Sequence, residues 1–528
     1  MLIKKLSARA MGGMVSGAIS RALGWGNPAD AHRLTLTSPV IGLRPGRIFS
    51  FVVRGFGPLA MRSTNSRPGP TLAYRSVATI FVAAAMLVCE SSAIAQQAAP
   101  DYLSTLRTDR WTEDWSWVDK TEHGPPFKSI SLGDSVTASF GADTYLRYEL
   151  KDPLNFGATG EGPQGVFLGR VLVNANVQVG KRARLYAELG AWTQSGKFQS
   201  TIFDEANLAV QRAFVDYKVN DRLQMRIGRQ DIFDRSSRLL RAADALNYQP
   251  VFDAVVVEYS GPTTKTEFYY AEPFLPQKGF LQRFKGLGDS RLAGFSHRWK
   301  NWPVGGLSYA AYGVWQDRDR VAYLPTRGSE KRATAIVRAT YSSARTQVGV
   351  EVGRQFGKVG ETRIAAWAFA ADWSRTLGQD GAWAVSLRID GASGDRSGTA
   401  TNESWAPIFP AMFFLGRSGI YNPSNAIGFY PEISRKISRK LSLSLSGEEV
   451  WRASRGSAFA APGGLPLVRA GVPGGDHVLR GGTLELRWKL TPSHEVRAKA
   501  FVLEPAGAFK VTGAERLNGV TLNLISRF

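Results

Sequence analysis

Alternation of apolar and polar residues with a period of two is the feature of this sequence that most constrains its fold. In VLVNANVQV, residues 171–179, every second residue is Val or Ala, and the residues between them are mostly Asn or Gln. Successive side chains of an extended strand point to opposite faces, so such a segment has one apolar and one polar face. Sustained helical periodicity is scarce, and the chain is therefore predicted to be all-β.

About eighteen such segments follow one another along the chain, each close to the roughly ten residues that a tilted strand needs to cross a bilayer. A soluble β-sandwich would also alternate, so the pattern alone leaves both architectures open. The segments are 135–150, 166–179, 182–194, 207–219, 222–232, 252–260, 264–272, 292–300, 306–317, 331–342, 345–357, 361–374, 381–391, 427–439, 440–452, 480–490, 494–504 and 517–528.

The lengths of the connections favour a transmembrane barrel. Short turns such as residues 220–222 and 491–493 alternate with long connections. Bacterial barrels have short periplasmic turns, longer extracellular loops and an even strand number. We therefore predict an antiparallel β-barrel of about 18 strands with both ends in the periplasm. GKVGE, residues 357–361, is short where a long loop is expected, which leaves one strand position open. The predicted long connections are 151–165, 195–206, 233–251, 273–291, 318–330, 392–426, 453–479 and 505–516.

The last segment, GVTLNLISRF, alternates up to Phe528. In a closed barrel the last strand pairs with the first and can finish at the membrane boundary. Gly519, Leu522, Leu524 and Phe528 look like the C-terminal signal that the barrel-assembly machinery recognises in outer-membrane proteins. We therefore expect that machinery, together with outer-membrane lipid and lipopolysaccharide, among the partners of the protein.

An apolar run ahead of the alternating region indicates export. Residues 61–95 combine basic residues, an apolar stretch and the small-residue site Ala93-Ile94-Ala95, which is typical of a secretory signal peptide cleaved near Ala95. Residues 1–60 are an uncertain leader, either a misassigned start or a genuine extension. We expect residues 96–134 to form a periplasmic N-terminal segment and residues 135–528 the barrel, integral to the outer membrane of a Gram-negative cell.

The net charge of +22 points to an anionic partner. Residues 1–95 carry eleven Lys or Arg and two Asp or Glu, so +13 remains on the rest of the chain. Export from the cytoplasm argues against nucleic acid, and leaves an anionic solute or an acidic polysaccharide. With the apolar faces outward, the polar faces line the lumen, and nine arginines on them are candidate anion-binding residues: Arg147, Arg170, Arg184, Arg212, Arg226, Arg338, Arg388, Arg487 and Arg497.

Two interpretations of these arginines remain open. Lumen acids such as Glu149, Glu188 and Asp390 could pair with them across strands and stiffen the wall. Unpaired arginines would instead form an electropositive track that selects anions and binds their carboxylates. Since cations outnumber acids on these faces, we expect some arginines to be paired and several to be free.

Signatures of catalysis are sparse. After residue 95 there are four histidines, and none lies in an H-E-x-x-H or similar metal-binding spacing. We predict no enzymatic activity, no metal site and no cofactor. A barrel enzyme that acts on envelope lipid is the alternative of a different class, which a Ser/His pair converging at the rim would favour.

Several stretches follow one another in a recurrent order: EDWSWVDK (113–120), PPFKSISLG (125–133), YLRYEL (145–150), QRAFVDYKV (211–219), RIGRQDI (226–232), SSRLL (236–240), LNYQPVFDAVVV (246–257), ASGD (392–395) and IFP (408–410). As a collinear set they resemble the alginate-export family of outer-membrane barrels. The resemblance implies an eighteen-stranded barrel with a narrow, arginine-rich pore that passes an anionic polyuronate outward. It places Arg147, Arg170, Arg229 and Arg238 on recurrent arginines of the family and Asp395 on its SGD loop. We expect Arg229, Arg238 and Asp395 at the pore mouth or in its loops.

The sequence departs from the family pattern in AMFFLGRSGIYNPSNA, residues 411–426, which is more apolar than the corresponding family segment. The departure leaves the substrate open. The sequence therefore predicts a passive, anion-selective outer-membrane channel for acidic solutes, with an alginate-like polyuronate as the solute that the resemblance implies. The alternative of the same class is a general porin whose lumen charges are structural.

Overall fold

In the computed structural model, all the residues described below belong to one compact unit, Ser91–Phe528. The predicted leader and signal peptide lie outside the described residues. The described residues are 106–107, 109–118, 127–158, 160, 162–198, 204–232, 237, 239–240, 247–275, 281, 290–301, 304–323, 326–396, 398–408, 418–422, 424–462 and 464–528.

Eighteen long strands of the described chain form a closed antiparallel barrel, which confirms the predicted fold class. Each strand pairs with the next along the ring, and every one coincides with a segment predicted from the alternation. The strands are β2 (Val136–Asp152), β3 (Gln164–Val179), β4 (Ala183–Ser195), β5 (Ala206–Lys218), β6 (Leu223–Gln230), β7 (Val251–Ser260), β8 (Thr264–Phe274), β9 (Ser290–Lys300), β10 (Leu307–Tyr323), β11 (Thr326–Ser342), β12 (Thr346–Val359), β13 (Thr362–Leu377), β14 (Trp383–Ala392), β16 (Ala426–Lys436), β17 (Leu441–Trp451), β20 (His477–Lys489), β21 (His494–Pro505) and β22 (Leu517–Arg527).

In the part of the chain that the structure describes, four short strands and a short helix lie beside the ring. Strand β1 (Ile130–Gly133) pairs with the start of β2, and β15 (Thr401–Asn402) runs parallel to β13. Strands β18 (Phe459–Ala460) and β19 (Pro466–Val468) form a hairpin of their own, and α1 (Gly507–Val511) precedes the last barrel strand. The other helical turns among the described residues are 3-10 helices at Arg110–Thr112 and Leu154–Gly157. No helix in the described part of the chain is long and apolar enough to cross a membrane.

The ring is closed by the first and last barrel strands. Asp143 of β2 lies opposite Arg527 of β22, and the ladder continues to Asp152 opposite Asn518. Closure removes the free sheet edge, so every strand backbone can satisfy its hydrogen bonds inside the barrel wall. The alternating final segment is therefore an internal strand of a continuous sheet.

The outer surface carries the apolar face that a bilayer requires. Large apolar side chains such as Phe268, Val337 and Leu445 are more than half exposed on the ring. Aromatic residues cluster at the end where the turns are short, as expected of an interfacial girdle. The exposed aromatics within one residue of a strand end are Tyr217, Tyr259, Tyr341, Trp383 and Trp488 beside the short turns, and Trp451 at the opposite end.

One predicted connection is wrong and one open point is resolved. Residues 318–330 are not a long loop, because β10 and β11 extend as a ladder that pairs Arg318 with Glu330. Arg318 and Glu330 also form an ion pair across the two strands, and the charged residues of this stretch interrupt the apolar alternation that marks a strand in the sequence. The short GKVGE stretch holds the turn between β12 and β13, where Gly360 has a φ of +54°. No strand is displaced there.

The long connections pack into a second core at the opposite end of the barrel from the short turns. Phe156, Phe459 and Phe509 are fully buried and come from three different connections. Phe156 and Phe509 meet edge to face at 4.7 Å between ring centroids. These connections are thus part of a packed cap over β16–β22 rather than separate surface loops.

Candidate functional site

The lumen holds a piece of the N-terminal segment. The ring of Trp111 lies 4.2 Å below the guanidinium of Arg226 and edge to face with Phe214 of β5. Its carbonyl oxygen accepts a 2.6 Å hydrogen bond from Nη1 of Arg184 on β4. The 3-10 helix Arg110–Thr112 therefore contacts the inner wall of β4–β6, close to the ends of these strands that join by short turns.

Arg110 anchors this segment to the barrel seam through one ion pair and one hydrogen bond to the backbone. The buried guanidinium of Arg110 lies 3.0 Å from Glu113 and 3.1 Å from Asp143 of β2, and it donates to the carbonyl oxygen of Phe528. Lys128 also donates to the backbone of this region, and its Nζ lies 4.9 Å from the centroid of the Trp115 ring. Burial, followed by the nearby charge of Arg110, lowers the pKa of Lys128 to about 8.

A second piece of chain crosses the lumen from the other end. In the connection between β6 and β7, Ser237 Oγ donates a 2.5 Å hydrogen bond to Glu351 on β12. Asn247 of the same connection donates to the carbonyl oxygen of Thr193 on β4 at 2.8 Å and to that of Gly169 on β3 at 3.3 Å. Strands β3 and β12 are nine positions apart in the ring of eighteen, so the connection joins opposite walls.

Apolar side chains of two connections fill the space beside this crossing. Leu239 from the β6–β7 connection and Trp405 from the β14–β16 connection are 2% exposed. Both pack over Gly353 of β12, where an added Cβ would lie 2.9 Å from the Trp405 ring and 3.1 Å from Leu239. The absent side chain lets both connections approach the wall, and together they narrow the lumen.

All nine predicted arginines lie on inward positions of their strands, and seven of them pair with carboxylates. Arg212 is buried against Glu188 and Asp231, whereas Asp216 accepts from both Arg184 and Arg226. The other pairs are Arg147–Glu149, Arg388–Asp390, Arg487–Glu485 and Arg497–Glu495. Structural pairing therefore accounts for much of the positive charge, as one of the two interpretations expected.

The two remaining arginines differ in their surroundings. Arg170 donates to the carbonyl oxygen of Asn247 at 3.2 Å, with its guanidinium 4.9 Å from the Tyr145 ring centroid. It therefore helps to hold the crossing connection. Arg338 lies directly opposite Glu351 in the ladder of β11 and β12, but no ion pair joins it to any residue that the structure describes.

A row of arginines crosses four neighbouring strands at one level of the wall. Arg147 of β2 faces Asn523 of β22, Asn523 faces Arg497 of β21, and Arg497 faces Arg487 of β20. The last two are directly opposed like charges, which weakens a strand pair unless something compensates. We call Arg147, Arg497 and Arg487 the arginine row.

The acids that pair with the arginine row lie beside it, on the same strands. Arg487 is 2.6 Å from Glu485 and its side chain is 55% exposed, while Arg497 pairs with Glu495 and is 35% exposed. Each guanidinium has five N–H donors, which is more than a single carboxylate can bind. This exposed stretch therefore keeps donors available toward the lumen.

The predicted mouth and loop residues have structural contacts. Arg229 of β6 binds both carboxylate oxygens of Asp253 on β7, and its guanidinium lies over the Phe274 ring. Asp395 accepts a hydrogen bond from the N–H of Glu403, and its own N–H is bonded to Ser404 and Ser457. Arg238 lies outside the described residues.

The described residues offer little support for a catalytic site. His494 Nδ1 and Ser526 Oγ are 2.8 Å apart at the short-turn end of the barrel, the kind of Ser/His pair that would favour an enzyme. Ser526 is only 1% exposed, so its hydroxyl does not reach a substrate. Among the described residues, no carboxylate is hydrogen-bonded to His494, and no group of His, Cys, Asp and Glu could hold a metal ion.

The sequence did not reveal the lumen positions of Trp111 and of the β6–β7 connection. Periodicity locates residues in strands but carries no information about which non-strand segments fold inward. In retrospect, the cluster Trp111, Trp115 and Trp117 before the first strand and the apolar pair Leu239-Leu240 inside a long connection were signals. Apolar side chains in a segment outside the bilayer need another surface to bury them.

A family model for alginate export matches residues 136–522. The protein belongs to the alginate-export family. No curated protein matches the sequence.

Solved porin structures share the architecture. The chain is 10% identical to a BenF-like porin from Pseudomonas fluorescens Pf-5, with a TM-score of 0.53 over 74% of this chain and 98% of that one. Acinetobacter baumannii OccAB1 gives 9% identity and a TM-score of 0.52, covering 74% and 96%. Pseudomonas aeruginosa OccK2 in complex with glucuronate gives 10% identity and a TM-score of 0.50, and the match covers 74% of this chain and 96% of that one. Family and fold together make this protein an integral outer-membrane channel of the porin type.

Proposed function

We propose that this member of the alginate-export family is a passive, anion-selective channel whose solutes are uronates and polyuronates. The observation that carries the proposal is the arginine row, in which Arg497 and Arg487 face each other across two strands. Each has a carboxylate partner only two residues away along its own strand. A carboxylate passing along the wall can accept from both guanidiniums, and it would relieve their mutual repulsion.

Uronates suit this row because each sugar ring carries one carboxylate. Arginine binds carboxylates through two parallel N–H···O bonds, which favours a planar anion over a spherical one such as chloride. OccK2, which has the same fold, has been solved in complex with glucuronate, so glucuronate is the natural first solute to test. The family description favours outward passage, and no energy-coupling motif is present in the sequence, so we propose passive flow.

The route to the membrane is part of the proposal. We propose that residues 61–95 direct secretion and are removed near Ala95, which the N-terminal sequence of protein extracted from outer membranes would test. We further propose that the barrel-assembly machinery recognises the last strand and inserts the protein. Lipopolysaccharide would then surround the barrel in the outer leaflet of the membrane. A substitution of Phe528 that left insertion unaffected would contradict the role of that strand as a signal.

The test is the zero-current potential of the channel in a planar bilayer under a salt gradient. Replacing both Arg487 and Arg497 by Gln should move this potential toward that of a non-selective pore, with roughly a tenfold change in the anion-to-cation permeability ratio. That figure assumes that each charge acts on a passing ion with about 0.7 kcal/mol. Arg480→Gln is the matched control, because Arg480 lies at the other end of β20 and pairs with Glu504.

The alternative is a general porin in which the lumen charges only stiffen the wall. That alternative predicts a weak ion preference in the natural protein and no difference between the double variant and the control. It also predicts no block of the current by glucuronate or by a polyuronate. Such results would overturn the proposed selectivity, while the assignment to the family would stand.

A further inference from the structure

A cavity of about 230 Å³ lies between the docked N-terminal segment and the inner wall of β6–β9. Trp111 and Thr112 form one side of it, and Gln224, Phe252 and Tyr269 belong to the opposite side. The arginine row lies on β2, β20 and β21, so this cavity is a different part of the lumen. It is smaller than the roughly 300–1,000 Å³ of pockets for drug-sized ligands, so it suits a molecule of one ring.

The cavity lining carries more carboxylates than cations, with Asp109, Asp231, Glu258 and Glu267 against Arg226, Lys265 and Arg298. Lys265 Nζ lies 2.7 Å from Glu258 and 3.2 Å from Glu267, and Glu267 also accepts from Arg298 at 2.9 Å. Arg226 is bound at 2.5 Å to Asp216, which lies behind it on β5. A wall of this kind has no excess positive charge to attract an anion, yet its paired groups retain hydrogen-bonding capacity toward a neutral ligand.

Aromatic surface completes the lining. Trp111 is half-buried, Phe252 is 2% exposed and Tyr269 is 8% exposed, and all three contribute to the cavity. A pyranose has faces made of C–H groups and a rim of hydroxyls that both donate and accept. Aromatic faces carry partial negative charge and attract the C–H faces, whereas paired charges and amides satisfy the hydroxyls.

We propose that this cavity binds a single uncharged sugar ring, held between Trp111 and the β7–β8 wall and hydrogen-bonded by Gln224 and the Lys265–Glu267 pair. The site is built by the docking of the N-terminal segment, because Trp111 supplies one of its sides. It goes beyond the anion pathway, and its ligand differs from a uronate by lacking the carboxylate.

The experiment is saturation-transfer difference NMR with glucose as the probe. The full chain is expressed, extracted from outer membranes and kept in a detergent without a sugar headgroup, so that the detergent does not compete. We expect saturation transfer to the ring C–H protons of glucose, and weaker transfer to sorbitol, which has the hydroxyls but no ring. Neither signal depends on conductance, so the result is independent of the test of anion selectivity.

Variants of the N-terminal segment make the result specific. Trp111→Leu should weaken glucose binding by roughly tenfold, the equivalent of about 1.4 kcal/mol. Trp117→Leu is the matched control, since Trp117 is 39% exposed in the same segment and does not line the cavity. Gln224→Leu, which removes one amide from the opposite wall, should also weaken binding. Absence of transfer in the natural protein, or equal transfer in Trp111→Leu and Trp117→Leu, would overturn the proposal.

Discussion

Replacing Arg110 by Gln is expected to release the N-terminal segment from the lumen and to raise the conductance of the channel. Arg110 is the main electrostatic anchor, because its guanidinium lies 3.1 Å from Asp143 of β2 and donates to the carbonyl oxygen of Phe528, while Glu113 of the same segment is 3.0 Å away. The side chains of Arg110 and Glu113 are 1% and 3% exposed. Glutamine keeps a polar side chain but carries no charge, so both carboxylates would be left in a buried site without their cation.

The size of the effect follows from these contacts. Removing one partner of a buried ion pair costs about 3–5 kcal/mol, because the other charge stays desolvated. Trp115 and Val118 are the buried apolar side chains of the segment, and their burial is worth about 1.5–3 kcal/mol each, in addition to the wall contacts of Trp111. The loss is therefore comparable to the apolar contribution, and the docked population should fall by about two to four orders of magnitude relative to the undocked one.

Two assays report on docking. Single-channel conductance should rise because the segment no longer occupies part of the lumen. Maleimide labelling of a Val118→Cys variant, in which the probe position is 7% exposed, should become at least about a hundredfold faster when Arg110→Gln is added. Arg107→Gln is the control, because the exposed side chain of Arg107 takes no part in this network. Unchanged labelling and conductance in a folded Arg110→Gln barrel would refute the reasoning.

Two further substitutions test the lumen wall. Asp216→Asn removes the carboxylate shared by two lumen arginines, so the anion-to-cation permeability ratio from zero-current potentials should increase by roughly fivefold, about 1 kcal/mol. A ratio that fell or stayed constant would mean that these arginines do not act on the permeating ion. Gly353→Leu places a side chain where Trp405 packs. It should destabilise the packing of the β14–β16 connection on the wall by about 1–3 kcal/mol. Protease digestion should then cut the β14–β16 connection faster than in the natural protein, and equal rates would contradict the packing described.

The barrel itself could be predicted from the sequence because its constraint is local. A strand between lipid and lumen must alternate, so each of the eighteen strands leaves a mark in a window of about ten residues. The hairpin of β10 and β11 shows the limit of this argument. Its outer part lacks apolar alternation and contains several charged residues, of which Arg318 and Glu330 pair across the two strands.

The lumen could be predicted only in part. Alternation placed all nine arginines on the inner face, but it could not show that Asp216 serves both Arg184 and Arg226. Such pairings depend on the register between strands, which the one-dimensional pattern does not contain. The docking of Trp111 and the crossing made by Ser237 and Asn247 are contacts between residues distant in sequence. Only the three-dimensional structure brings them together.

The central claim is that the lumen selects anions and accepts uronates. The most direct measurement is the zero-current potential of the natural protein in a planar bilayer under a salt gradient, followed by addition of glucuronate and then a polyuronate. We predict a potential of the sign that anion selectivity requires, and a current that both solutes reduce. A potential of zero or of the opposite sign, together with a current that neither solute changes, would contradict the account.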